Sequence, residues 1–156
     1  MSAAIAHQHL VMKVLGERNW CLVASPALLE KYGVPLMPAD LTALPSLDFG
    51  PPRGEHVWQL EGPHGAAATV RHTPRFVTDD MIALRQAAVA GAGVVLLPVM
   101  MVCDETKGGA LVGLTPERVP KGGIIHAVFP SRRGQLPSVR KLIDYLAMRF
   151  EQVDES

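Results

Sequence analysis

Two short stretches hold the residues with the widest chemical scope. In Ala24-Ser25-Pro26 a hydroxyl stands between an apolar run and a proline, and in Val77-Thr78-Asp79-Asp80-Met81 a hydroxyl and two carboxylates stand between an apolar run and a helical pattern. Both read as strand-to-helix junctions, where the first helical amides are unpaired and carry a partial positive charge that suits a ligand oxygen. The same side chains can instead cap their own helices, a task worth about 1 kcal/mol each. Residue type leaves that choice open for Ser25, Thr78 and Asp79. Asp79 and Asp80 make a poor catalytic pair, because neighbours at a helix start point apart and the helix dipole keeps both ionised. A carboxylate facing a ligand there would disfavour an anion. Arg132 and Arg133 would reverse that preference, although arginines in a polar loop are most simply solvated.

Other chemistry is weakly signalled. His7, His9, His56, His64, His72 and His126 show no metal-ligand spacing beyond the first pair, and surface positions are expected for them. Gly91-Ala92-Gly93 follows a helical pattern where a phosphate loop would precede one, so it reads as a helix stop. No nucleophile elbow is visible, and neither a cofactor, a metal nor an enzymatic activity is expected. Cys21 and Cys103 fit no zinc or redox spacing and are expected as reduced, packed thiols.

Lys plus Arg and Asp plus Glu both number 15 in the 156 residues, so no summed positive field favours a phosphate backbone. No apolar run approaches the roughly 20 residues that span a bilayer, and residues 1–15 lack the basic start and apolar middle of a secretion signal. The expectation is a cytoplasmic protein that engages no membrane.

The elements that must position these residues alternate in type. Residues 10–15 and 20–24 read as strands joined by a polar turn at 16–19, and Ser25-Pro26 opens a short helix over 27–31. A helical turn follows at 38–41. Residues 46–65 are dense in turn formers, with a strand around Val57, Trp58 and Leu60 and its hairpin partner at 66–70. Trp58 reads as a core anchor. Residues 75–77, 81–90 and 94–97 then form a strand, helix and buried parallel strand, a βαβ crossover. A short helix from Pro98, a strand at 111–114 and a buried strand at 124–129 follow. Residues 137–150 make the strongest helix, with Val139, Leu142, Ile143, Leu146, Ala147 and Phe150 in one stripe. The pattern implies an α/β fold with a mostly parallel sheet flanked by helices.

Four segments in this order resemble the regulatory domain of LysR-type transcription regulators. They are Cys21-Leu22-Val23-Ala24-Ser25-Pro26-Ala27-Leu28-Leu29, Pro38-Ala39-Asp40-Leu41, the stretch from Val77-Thr78-Asp79-Asp80 to Gly93-Val94-Val95-Leu96-Leu97-Pro98, and Ala127-Val128-Phe129-Pro130-Ser131-Arg132-Arg133 with the helix after it. The resemblance implies a type 2 periplasmic-binding-protein-like fold of two lobes joined by crossing strands, with a small-molecule effector in the cleft between them. On that pattern residues 24–126 form a complete second lobe, while 1–23 and 127–153 form part of the first. It adds Phe129 and Ser131 to Ser25, Thr78, Asp79, Asp80 and Met81 as effector contacts. It implies a homodimer built through the helix after Thr78 and an edge strand, with DNA bound only by a winged helix-turn-helix that has no counterpart here. A transport receptor of the same fold, or a small α/β enzyme, are the alternatives.

Overall fold

The computed structural model describes residues 10–115, 119–120, 123–130 and 136–153. The chain runs β1 (Leu10–Arg18), β2 (Trp20–Ala24), α1 (Pro26–Tyr32), a 3-10 turn (Pro38–Ala43), β3 (Leu47–Phe49), β4 (Val57–Glu61), β5 (Ala67–Arg71) and β6 (Phe76–Thr78). It continues through α2 (Met81–Val89), β7 (Val95–Pro98), α3 (Val99–Lys107), β8 (Val112–Gly113), β9 (Val119–Pro120), β10 (Gly123–Pro130) and α4 (Pro137–Val153). Contacts divide it into two compact units, one holding Asn19–Gly122 and the other Met1–Arg18 with Gly123–Ser156.

The central unit is built on a mixed sheet. β2 pairs antiparallel with β7 on one side and β8 on the other. β7 meets β3 in parallel through one bridge, Ser46 to Val94, and β3 runs parallel to β6. The spatial order is therefore β8-β2-β7-β3-β6. Helix α2 makes the crossover from β6 to β7, two strands that both run parallel to β3 between them. The remaining strands form a second ladder, in which β5 and β9 flank β4 antiparallel.

Hydrophobic alternation explains how the sheet is buried on both faces. Leu22 and Ala24 of β2 enter one core with Leu28, Trp58 and Leu60, whereas Val23 between them enters another with Leu47, Leu84 and Val102. In β4 the alternation puts Trp58 and Leu60 inside, with Gln59 and Glu61 out. At Gly93 the parallel join is so close that a Cβ would stand 2.9 Å from the Pro45 carbonyl oxygen. Only glycine lets Val94 N donate to Pro45 O at 2.9 Å while Leu47 N donates to Val94 O at 2.8 Å.

Several expectations are corrected. The turn at 16–19 is strand: β1 continues to Arg18 because Gly16, Glu17 and Arg18 keep partners in β10, and the glycine is absorbed by an irregularity in register between Val14 and Gly16. Strand β3 lay hidden among turn formers, since three residues are too few to show a period. The run 94–97 is parallel only through Val94 and is otherwise antiparallel to β2, and most described ladders are antiparallel. Apolar composition reports burial on two faces without reporting strand direction.

The second unit is an antiparallel ladder of β1 and β10 with α4 against β1. Leu15 and Ile143 are its buried apolar residues among those described. The strand expected to be buried at 124–129 is half open: Val128 is 53% exposed and its partner Met12 61%, because two strands offer two faces and α4 covers one of them. Of the apolar stripe on α4, Ile143 is buried and Leu142 is 55% exposed.

Candidate ligand site

The β6–α2 junction is organised by its own polar side chains. Asp80 is the N-cap, its Oδ1 accepting from the amides of Ile82 at 2.9 Å and Ala83 at 3.2 Å. Thr78 Oγ1 accepts from Asp80 N at 3.2 Å, and Thr78 O accepts from Gly50 N at 3.2 Å. Asp79 is exposed and takes no part in the cap. The Thr78 hydroxyl proton remains to be given to a ligand acceptor, beside the exposed Asp79 carboxylate and the half-buried Met81. Such a set suits a neutral or cationic ligand carrying an acceptor atom, because the carboxylates of Asp79 and Asp80 repel an anion.

The second junction does not join the first. β2 runs opposite to β7, β3 and β6, so its C-terminal Ser25 lies at one end of the sheet and Thr78 at the other. Ser25 is 3% exposed and its Oγ accepts from Leu28 N at 3.2 Å, a cap inside the protein. A sheet of parallel strands, as the sequence pattern implied, would carry both junctions at one end; antiparallel β2 separates them. Phe129 belongs to the other unit, where it pairs with Val11. Ser131, Arg132 and Arg133, like His7 and His9, lie outside the described residues.

The end that carries Thr78 also holds residues the sequence did not mark. Phe49 pairs with Thr78 and is 44% exposed, and at the adjoining strand end Val99, 43% exposed, donates its amide to Asn19 O at 2.9 Å. No local motif announces them; only the strand order brings Phe49 and the start of α3 to the end of the sheet where β6 stops.

A second polar cluster also escaped the sequence reading. His72, expected at the surface, has a side chain only 3% exposed, stacked on Trp58 with ring centroids 3.8 Å apart. Its Nδ1 is 2.7 Å from Ser46 Oγ, and its Nε2 is buried without a hydrogen bond, 3.7 Å from Asp48 Oδ2. The same oxygen is 2.6 Å from Nδ1 of His56. Burial holds the His72 pKa below the ordinary value of 6.5, with Asp48 opposing and His56 assisting. Hairpin register was the available signal, since Val57 opposite Arg71 sets His56 beside His72. Ser46 is 3% exposed, so the Ser-His-Asp likeness offers no substrate an accessible nucleophile.

Three other features are settled by their surroundings. Among the described residues, no group of three or more His, Cys, Asp or Glu is placed to hold a metal ion, and no helix is long and apolar enough to cross a membrane. Both cysteines are free, and burial raises the Cys21 thiol above its usual pKa. An open groove of about 800 Å³ runs between Pro38, Ala39, Thr42 and the strand Ala67–Arg71. Two of its polar side chains are engaged locally, Thr42 to Ala39 O and Arg71 to Glu55.

The family model for the LysR substrate binding domain matches residues 1–151. This chain belongs to that family. The activator AaeR of Escherichia coli is 29% identical over 151 residues, covering 96% of this chain and 48% of AaeR. PtxR of Pseudomonas aeruginosa is 33% identical over 125 residues, 80% of this chain and 39% of PtxR. The LysR domain thus spans about half the length, or less, of these relatives. The CrgA regulatory domain of Neisseria meningitidis superposes with a TM-score of 0.76 at 25% identity, covering 90% of this chain and 69% of that one. Full-length AphB of Vibrio cholerae, at 24% identity, gives 0.77 over 93% of this chain and 49% of its own, which shows the shared fold. That fold is the type 2 periplasmic-binding-protein-like fold of LysR regulatory domains, as the resemblance implied.

Proposed function

We propose that this LysR domain binds a small-molecule effector and passes its occupancy to DNA-binding elements of a longer cytoplasmic transcription regulator. The family match across residues 1–151 carries this reading, and the relatives bearing names are transcription regulators. Residues 19–122, which include all of β2, act as the complete second lobe, in place of the bounds 24–126, and 1–18 with 123–153 act as part of the first. The effector touches Thr78, Asp79 and Met81, with Phe49 and Val99 offering apolar contact at the same end of the sheet. Asp80 and Ser25 serve as helix caps. A neutral or cationic effector with one acceptor atom fits these groups. The protein regulates without enzymatic turnover. It assembles as a homodimer through α2, whose Ile82 is 58% exposed, and an edge strand.

The test is a melting-temperature screen of the chain against a metabolite panel graded by charge, followed by titration of the best compound. The expected result is a saturable shift from a neutral or cationic compound that Thr78→Ala removes while Ser25→Ala, although lowering the baseline Tm, preserves. A preference for anions, or a shift abolished by Ser25→Ala alone, would overturn the site assignment. Sedimentation showing a monomer at all concentrations would overturn the dimer.

A further inference from the structure

The joint between the β4–β5 hairpin and β3 is a place where a proton changes the chemistry. Two imidazoles face a single carboxylate oxygen there, and one of them also meets a serine hydroxyl. His56 holds Asp48 Oδ2 at 2.6 Å, while His72 faces the same oxygen from 3.7 Å and uses its other nitrogen on Ser46 Oγ at 2.7 Å. Side chains of opposite kind tie the three elements here: Ser46 and Asp48 from β3 and its approach, and His56 and His72 from the two ends of the hairpin. Their backbones meet as well, since His72 N donates to His56 O at 3.1 Å.

We propose that His72 is a proton-operated latch, closed when neutral, that releases the base of the β4–β5 hairpin from β3 when it is protonated. With a neutral His72 the site holds one carboxylate, one His56 donor and one Ser46 contact, all within hydrogen-bond reach. Adding a proton to His72 places a cation in a side chain 3% exposed, beside a second imidazole whose ring centroid is 6.0 Å away. His56 holds Asp48 Oδ2 at 2.6 Å, whereas His72 Nε2 stands 3.7 Å from it, beyond hydrogen-bond distance, so a charged His72 is not satisfied in the closed joint. Trp58 offers its face to the cation, yet it is 1% exposed, and His72 Nε2 is buried without a hydrogen-bond partner to share the charge. The other charged groups at the joint are the Glu55–Arg71 pair, which is exposed and self-neutralising, and Arg75, an exposed residue whose amide bonds Ser46 O. Neither supplies a second buried anion. Burial therefore dominates over the Asp48 attraction, and proton uptake requires the joint to open.

The latch is independent of any effector, and its test needs none. Imidazole resonances of the chain are followed by NMR from about pH 8 to about pH 5, together with Trp emission in a Trp20→Phe background that leaves Trp58 as reporter. The expected result is a His72 midpoint below 6.5, a Trp58 emission change with the same midpoint, and hydrogen-exchange protection that falls at the hairpin amides while Val95–Pro98 keep theirs. Protection should drop about tenfold for each pH unit of depression. His56→Gln should raise the His72 midpoint, and His72→Gln should abolish the emission change. A His72 midpoint at or above 6.5, an emission change that survives His72→Gln, or equal loss of protection in hairpin and central sheet would overturn the proposal. Should His72→Gln fail to fold, the midpoint and local exchange of the parent chain decide it.

Discussion

The unit spanning Asn19–Gly122 and the unit of β1, β10 and α4 are made from similar apolar residues and bury them differently. In the first, Leu22 and Val23 are neighbours in one strand yet serve two cores, at 1% and 0% exposure. In the second, Met12 and Val128 are cross-strand partners on an open face, and Leu142 stands out of an otherwise apolar helical stripe. A sheet covered on both faces makes core of its central strands, here β2 and β7, whereas a two-stranded ladder with one helix can cover a single face. Stability should therefore concentrate in the central unit.

Mutations can break or sharpen that contrast. Trp58→Ala, which empties the 1% exposed site between hairpin and sheet, should cost about 3–5 kcal/mol in urea unfolding. Ile143→Ala, the corresponding loss in the other unit, should cost about 2 kcal/mol, the low end for such a truncation, because its surroundings can relax. Equal costs would show the two units to be equally packed. Acid provides the next effect. With its folded pKa held below 6.5, His72 is protonated first in the unfolded chain, so stability is flat above about pH 6.5, declines as pH falls through it, and levels below the folded pKa. His72→Gln should flatten that segment of the curve, and a decline of unchanged size would remove His72 from its cause. Asp80→Ala should cost about 1 kcal/mol by thermal melting through loss of the α2 cap. The smallest effects, within about 0.5 kcal/mol, belong to Asp79→Ala and to Val128→Ala on the open ladder face. A larger loss for Val128→Ala would mean that this face is covered in solution.

Local chemistry made most of the elements legible. Ser25-Pro26 announced α1, Thr78-Asp79-Asp80 announced the start of α2, and the stripe through Ile143 announced α4. Direction was not legible. The runs 20–24 and 94–97 are equally apolar, and nothing in their composition says that one runs against the other. That missing fact decided the candidate site, because it sent Ser25 to the far end of the sheet from Thr78. The cap at α2 was misplaced by one residue, since Asp79 and Asp80 are alike in type and only backbone geometry selects Asp80. The Asp48, His56 and His72 group was invisible for another reason: its members are brought together by hairpin register and by a three-residue strand too short to leave a pattern.

Gly93 has a consequence for reading genetic variation. Among the described ladders, the parallel pair β3–β6 is joined to the antiparallel trio β8-β2-β7 by the one bridge that passes beneath this residue. A saturation screen scored on signalling would show position 93 depleted of every side chain, as a ligand contact would be. The cause would be a sheet parted along its only seam, at the end opposite Thr78, with the recognition groups themselves unaltered.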